Sequence, residues 1–230
     1  MRKLLSVTVL SIAFYLMNSE CVFADNRIQV EDTLSDNSLF TSKFETNNSS
    51  CTAVTLSPRL VLTAAHCINN KTVENEYLGT VYPAQSSQLH TPLGKLEIYT
   101  GYTYQGKDIA ILKSGQSDFG SEYYLRNKKV NLKSVNTDEQ NLVGQKVYTI
   151  GYPSDKGGNA QYKSHGEVTS ISGGLIHTNL SATHGQSGSG LFLEGTGELI
   201  GILTHGNIEP SNSTFSPITG QVKEWIEKQN

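Results

Sequence analysis

The sequence lacks the charge imbalance that binding a polyanion requires. Its 18 Lys and Arg residues stand against 21 Asp and Glu, a net charge of -3. The basic residues are scattered rather than clustered, so no sustained positive field is available to hold nucleic acid, and no nucleic-acid partner is expected. No His or Cys pair shows a ligand spacing such as His-x-x-x-His or Cys-x-x-Cys, and no glycine-rich phosphate loop with its lysine appears. We therefore expect no metal and no cofactor. Beyond residue 24 no run is long and apolar enough to anchor the chain in a bilayer. There is no internal repeat and no low-complexity tract.

Cysteine is also scarce, three in 230 residues. The first 24 residues begin with Arg2-Lys3, continue through an apolar run over 4–17 and end in Val22-Phe23-Ala24. This pattern fits a signal peptide cut after Ala24, leaving an exported, secreted chain of residues 25–230. Cys21 leaves with that peptide, and an even pair, Cys51 and Cys67, remains. In an exported chain such a pair suggests a disulfide, two free buried thiols being the alternative.

Helical periodicity is sparse. Short β-rich runs recur instead, at 53–56, 60–63, 96–100, 109–113, 146–150, 166–171, 175–178, 190–193 and 199–204, separated by clusters such as Ser57-Pro58, Gly157-Gly158-Asn159 and Gly173-Gly174. Many short strands at this spacing indicate an all-β sandwich or barrel. The polar stretch 117–140 reads as a surface crossover between an N-terminal unit (40–116) and a C-terminal unit (141–230), after an N-terminal segment or short propeptide over 25–39. Near the end, Val222, Trp225 and Ile226 fall at i, i+3, i+4 and predict an amphipathic helix over 218–229, with Trp225 against a barrel.

What is present points to chemistry. Thr63-Ala64-Ala65-His66-Cys67, Lys107-Asp108-Ile109-Ala110-Ile111-Leu112 and His184-Gly185-Gln186-Ser187-Gly188-Ser189-Gly190 supply, in order, a base, an orienting acid and a nucleophile. His66 would accept the Ser187 proton, and Asp108 would hold His66 in the right tautomer. Backbone amides of Gly185 and Ser187 would form an oxyanion hole, in which losing one donor costs about 3 kcal/mol. The competing reading of the last segment is a glycine-rich hairpin with incidental serines, and of Asp108 an ordinary edge-strand acid. Of the six histidines, His90, His165 and His177 have no recognisable context.

These motifs resemble the chymotrypsin-like serine protease superfamily. The segments Tyr148-Thr149-Ile150-Gly151-Tyr152-Pro153-Ser154-Asp155-Lys156, Asn179-Leu180-Ser181-Ala182-Thr183 and Glu198-Leu199-Ile200-Gly201-Ile202 narrow the resemblance to its bacterial branch of V8-type glutamyl endopeptidases and exfoliative toxins. The resemblance runs from about Phe40 to the end. It implies an all-β fold of two six-stranded antiparallel barrels with a C-terminal helix. The implied activity is that of a secreted serine endopeptidase acting on protein or peptide substrates as a monomer. It also pairs Cys51 with Cys67, a bridge that V8-type enzymes generally lack. Closing that loop of roughly 15 residues would add about 3 kcal/mol in the chain-entropy model.

The resemblance carries the substrate site onto Ser181, Ala182, His184, Thr204, His205 and Gly206. Ser181 is expected at the pocket floor, where trypsin-like members carry an aspartate, which disfavours a basic P1 residue. Ala182 and Leu203 stand where glutamyl enzymes carry a hydroxyl residue and a histidine, so a Glu preference requires His205 or His184 to take over the carboxylate contact. The hydroxyl of Thr204 is expected to contact Asp108, and residues 204–207 to bind substrate backbone as an added strand. Arg27-Ile28-Gln29-Val30 looks like a zymogen cleavage site, but Gln186 replaces the acid that would pair with the new terminus, so no trypsinogen-like switch is expected. The competing functions are a secreted toxin or binding protein on a latent protease scaffold and an esterase. The esterase would need a strand-to-helix elbow at Ser187, and nothing around that residue reads as helical.

Overall fold

A computed structural model describes residues 25–137, 140–209 and 211–229; the signal-peptide reading of residues 1–24 lies outside them. Thirteen strands and two α-helices follow in order: β1 (Ile28–Gln29), β2 (Thr41–Glu45), β3 (Ser50–Ser57), β4 (Leu60–Thr63), β5 (Gly79–Pro83), β6 (Leu96–Thr103), β7 (Ala110–Ser114), α1 (Phe119–Leu125), β8 (Lys146–Gly151), β9 (Tyr162–Ser172), β10 (Leu175–Thr178), β11 (Gly190–Leu193), β12 (Leu199–Asn207), β13 (Asn212–Pro217) and α2 (Gly220–Glu227). The first six long strands close an antiparallel barrel in the order β2-β3-β4-β7-β6-β5. The second barrel runs β9-β10-β13-β12-β11-β8 and closes through the pairing of β8 with β9, while β1 adds to the outside of β9.

Closure removes the free strand edges of both barrels, except where β12 runs on past its pairing with β11 at Ile202. One apolar cluster fills the first barrel with Phe44, Leu62, Leu96, Ile98, Ile111 and Leu112. A second fills the other with Val147, Val168, Ile176, Leu191, Ile200 and Phe215. Tyr148, Ile150, Phe192, Leu199 and Ile202 come from second-barrel strands but belong to the first cluster, so the two barrels share a continuous apolar contact.

Four strands, β1, β2, β5 and β13, have no counterpart among the runs read from sequence. Strand β2, Thr-Ser-Lys-Phe-Glu, shows the reason: it is buried despite its polarity. Ser42 Oγ lies 2.6 Å from Thr55 Oγ1 of β3, and Lys43 Nζ donates at 2.8 Å to Asn159, in the connection between β8 and β9 of the second barrel. A search for apolar runs cannot find a strand buried by reciprocal hydrogen bonds. The crossover also departs from a plain polar stretch, because Asp118 accepts from the Gly120 N–H and starts α1, which buries Leu125.

The C-terminal helix is present over Gly220–Glu227, shorter than 218–229 because Thr219 caps its start. Ile218, Val222 and Ile226 join the first-barrel cluster, and the Trp225 ring meets Tyr104 edge-on at 5.2 Å. The last element of the chain thus packs back against the first barrel.

Cys51 and Cys67 form a disulfide, with Cα atoms 6.3 Å apart, joining the start of β3 to the turn that follows β4. That turn carries His66. With a sequence separation of 16, the crosslink restricts the unfolded chain by about 3 kcal/mol. A Cys51→Ala/Cys67→Ala double variant is expected to melt about 6–12 °C lower by calorimetry, and an unchanged melting temperature would show that the bridge contributes nothing to stability.

Candidate active site

His66 sits in the short turn Ala65–Ile68 after β4, and Asp108 lies two residues before the start of β7, which pairs with β4. The pairing brings the two together. Asp108 uses both oxygens: Oδ1 accepts from the His66 backbone N–H at 2.8 Å, and Oδ2 lies 2.7 Å from Nδ1. One bond fixes the turn and the other fixes the ring, which leaves Nε2 as the nitrogen free to exchange a proton. The Asp108 carboxylate raises the pKa of His66 above its ordinary value, against a smaller opposing effect of burial.

Ser187 is half-buried on the loop that leads into β11 of the second barrel. Its carbonyl accepts from Thr52 N–H of the first barrel at 2.8 Å. Cys67 Sγ lies 3.9 Å from the same carbonyl, and a His66 ring nitrogen lies within 4.8 Å of both disulfide sulfurs. Among the described residues no hydrogen bond joins the Ser187 hydroxyl to His66. The group His66, Cys51 and Cys67 has metal-ligand spacing, but both sulfurs are committed to the disulfide and neither offers a thiolate.

The loop around Gly185 is held from outside. The His184 carbonyl accepts from Ser154 N–H at 2.8 Å. In a trans peptide the next N–H points the opposite way, so the Gly185 N–H points away from Ser154. The N–H groups of Gly185 and Ser187 have no hydrogen-bond partner among the described residues. Gly185 has φ +87°, and a Cβ there would come within 2.4 Å of the Tyr152 carbonyl and 2.6 Å of Ser154 Oγ. The need for glycine therefore comes from the packing behind the loop, rather than from crowding of the hole in front.

A cavity of about 500 Å³ opens beside Ser187, between Thr183 and His184 on one side and residues 203–209 on the other. His184, Thr204, His205 and Gly206 line it. Ser181 and Ala182 do not, contrary to the expected floor. Both are fully buried behind the wall. Ser181 Oγ pairs with Ser211 Oγ at 2.8 Å, and its N–H donates to Ser164 Oγ at 3.1 Å. A Cβ on Gly206 would come within 2.6 Å of Ala182 Cβ. The two walls touch at this depth and make the cavity shallow. Thr204 also departs from expectation: its hydroxyl donates to the Thr214 carbonyl at 3.0 Å rather than to Asp108.

Strand β12 pairs with β13 as far as Asn207, but with β11 only as far as Ile202. Among the described residues no strand pairs with the other edge of 204–207, which faces the cavity. Sequence reasoning missed Thr183, Ile208 and Glu209 in the lining, and also Thr52, Ser154 and Asp155 behind the nucleophile loop. Thr52 stands next to Cys51 in a strand that reads only as β-rich, so no signal marks it. Arg27, read as a cleavage site, is buried instead, with Nη1 3.3 Å from Gln186 Oε1.

Replacing Asp108 by Asn removes the charge that favours the imidazolium. The His66 pKa is then expected to fall, moving its NMR titration to lower pH than in the parent protein. An unmoved or upward-moved titration would mean that Asp108 does not set the charge state of His66.

A family-wide sequence profile described as Trypsin matches residues 28–226. A glutamyl endopeptidase of Staphylococcus aureus (strain MW2) is 30% identical over 123 residues, which cover 53% of this chain and 36% of that protein. The chain thus matches only about a third of that relative's length. Exfoliative toxin A of Staphylococcus aureus is 27% identical over 197 residues, covering 81% of this chain and 69% of the toxin. Among solved structures, a Glu endopeptidase in complex with MPD superposes with a TM-score of 0.73 at 21% identity, covering 89% of this chain and 96% of that one. With the profile match spanning both barrels and both halves of the site, the chain belongs to the trypsin family.

Proposed function

We propose that the protein is a secreted serine endopeptidase that hydrolyses peptide bonds through His66, Asp108 and Ser187. The observation that carries this reading is the arrangement of the nucleophile loop. The His184 carbonyl is tied outward to Ser154, and the N–H groups of Gly185 and Ser187 are left without partners beside the nucleophile. Preorganised donors of this kind stabilise charge that develops only in the transition state.

In the proposed reaction His66 Nε2 takes the Ser187 proton as Oγ attacks the scissile carbonyl, and the carbonyl oxygen becomes an oxyanion held by the two amides. Collapse of this intermediate breaks the C–N bond, and His66 returns the proton to the leaving amine. Water then repeats the sequence against the acyl-enzyme, with His66 again as base and then acid. Asp108 stabilises the imidazolium throughout and stays ionised. The absence of a Ser187–His66 hydrogen bond in the free protein fits apo sites whose catalytic bonds tighten on substrate binding. The same observation favours the second reading, a secreted toxin or binding protein on a latent scaffold.

For the substrate, the open edge at 204–207 suits an extended peptide added as an antiparallel strand. The shallow cavity suits a P1 residue that is short, or an acidic one that meets His184 and His205 at its mouth. Glu209 lines the same cavity, so a P1 carboxylate fits only on the histidine side.

The test is reaction with a fluorophosphonate, followed by mass-spectrometric profiling of cleavage sites in a peptide mixture, with Ser187→Ala as control. Labelling and cleavage are expected in the parent and absent in Ser187→Ala. Glu209→Gln is expected to raise cleavage after Glu about twofold to fivefold, as for a screened surface charge. A parent protein that neither labels nor cleaves would leave the latent scaffold as the function.

A further inference from the structure

The Arg27 side chain is fully buried, and each of its five N–H groups is used. Nε and Nη2 donate to the two oxygens of Asp25 at 2.8 and 2.9 Å. Nη1 and Nη2 donate to the two oxygens of Asp155 at 2.9 and 2.5 Å. The remaining Nη1 hydrogen reaches Gln186 Oε1 at 3.3 Å. Burial works to pull the Arg27 pKa down, but the two carboxylates outweigh it and the net shift is upward. Asp155 is held low mainly by the hydrogen bond from Arg27. Only a planar fork can satisfy two acids and an amide at once, and a lysine offers no such geometry.

Both acceptors outside the N-terminal segment border the oxyanion loop. Asp155 belongs to the turn Ser154–Lys156, and the N–H of Ser154 holds the His184 carbonyl outward. Gln186 Oε1 also accepts from Thr183 N–H at 3.0 Å. Arg27 therefore braces Gly185 from both sides. The next residue, Ile28, is 67% exposed and pairs with Lys163 in β1. Its side chain lies on the surface, and Gln186 offers no acid to an ammonium created there.

We propose that the Arg27 guanidinium is the positive charge that sets the oxyanion hole, a positioning residue supplied by the intact N-terminal segment. Cleavage after Arg27 then disables the enzyme instead of activating it. This rests on the serine-endopeptidase reading. The sign of the pair is that of a terminal-ammonium device, but the cation is a side chain of the uncut strap and its anion, Asp155, lies on the turn behind the loop.

The experiment compares the exported full chain with Arg27→Gln, Arg27→Lys and Asp155→Asn for kcat, KM and affinity for a peptide aldehyde, whose hemiacetal oxygen occupies the oxyanion hole. Arg27→Gln is expected to lose about 100-fold in kcat, the scale of one missing oxyanion donor, with KM little changed and aldehyde affinity falling in parallel. Arg27→Lys should fall between it and the parent. If Arg27→Gln does not fold, Asp155→Asn carries the test, since it keeps the Arg27–Asp25 pair. The amino terminus of the fluorophosphonate-labelled enzyme should lie at or before Arg27. Unchanged kcat and aldehyde affinity in the folded variants, or labelled enzyme beginning at Ile28, would overturn the proposal. A parent chain that hydrolyses nothing would remove the protease reading and this proposal with it.

Discussion

Thr52 ties the two barrels together at Ser187, the proposed nucleophile. Its N–H donates to the Ser187 carbonyl at 2.8 Å, and its hydroxyl donates to the Gly185 carbonyl at 2.8 Å while accepting from Tyr152 N–H at 3.0 Å. Its own carbonyl accepts from Thr63 Oγ1 at 2.8 Å, on the strand that leads to His66. A Cβ on Gly188 would come within 2.1 Å of that carbonyl, so the loop approaches β3 as closely as backbone can. His66 and Asp108 belong to one barrel and Ser187 to the other. Their relative placement is only as well defined as this seam, and buried bonds in which each partner is satisfied define it tightly.

The second constraint acts on the same loop from the far side. Ser154 takes the His184 carbonyl, and Arg27, Asp155 and Gln186 form a charged cluster behind it. Gripped on both faces, the loop is held in one shape, which in the proposed mechanism is the preorganisation that acyl transfer needs. Asp108 does the corresponding work on the histidine, with one oxygen on the backbone and the other on the ring. The site is thus assembled from parts that each hold backbone as well as side chain, so small displacements of any barrel strand reach the reacting groups.

Much of this was legible in the sequence, and the limits were physical. Strands at 175–178 and 190–193 appear with the same bounds because apolar or β-branched runs end there at Asn179 and at Glu194-Gly195, and 60–63 does so because its β-forming residues give way to Ala64-Ala65. Strand β2 was invisible because Ser42 and Lys43 are buried by pairing rather than by apolarity. The motifs around His66, Asp108 and Ser187 stood out because each combines a reactive residue with a constrained backbone. The pocket was less readable. Ser181 and Ala182 were placed by the resemblance, but the contact of Gly206 with Ala182 closes the wall in front of them, and a contact between segments distant in sequence leaves no local trace. Arg27 read as a cleavage site because a linear motif carries no information about burial.

The central claim is that the nucleophile loop is held in its working shape by the first barrel, and Thr52→Val tests it most directly. Valine keeps the shape and removes the hydroxyl, leaving the Gly185 carbonyl and Tyr152 N–H without their partner. The measurement is the second-order rate of fluorophosphonate labelling, with melting temperature as a check on folding. The account predicts a folded protein that labels about tenfold more slowly, the scale expected when the two buried bonds of the hydroxyl are lost. A labelling rate equal to that of the parent would contradict it.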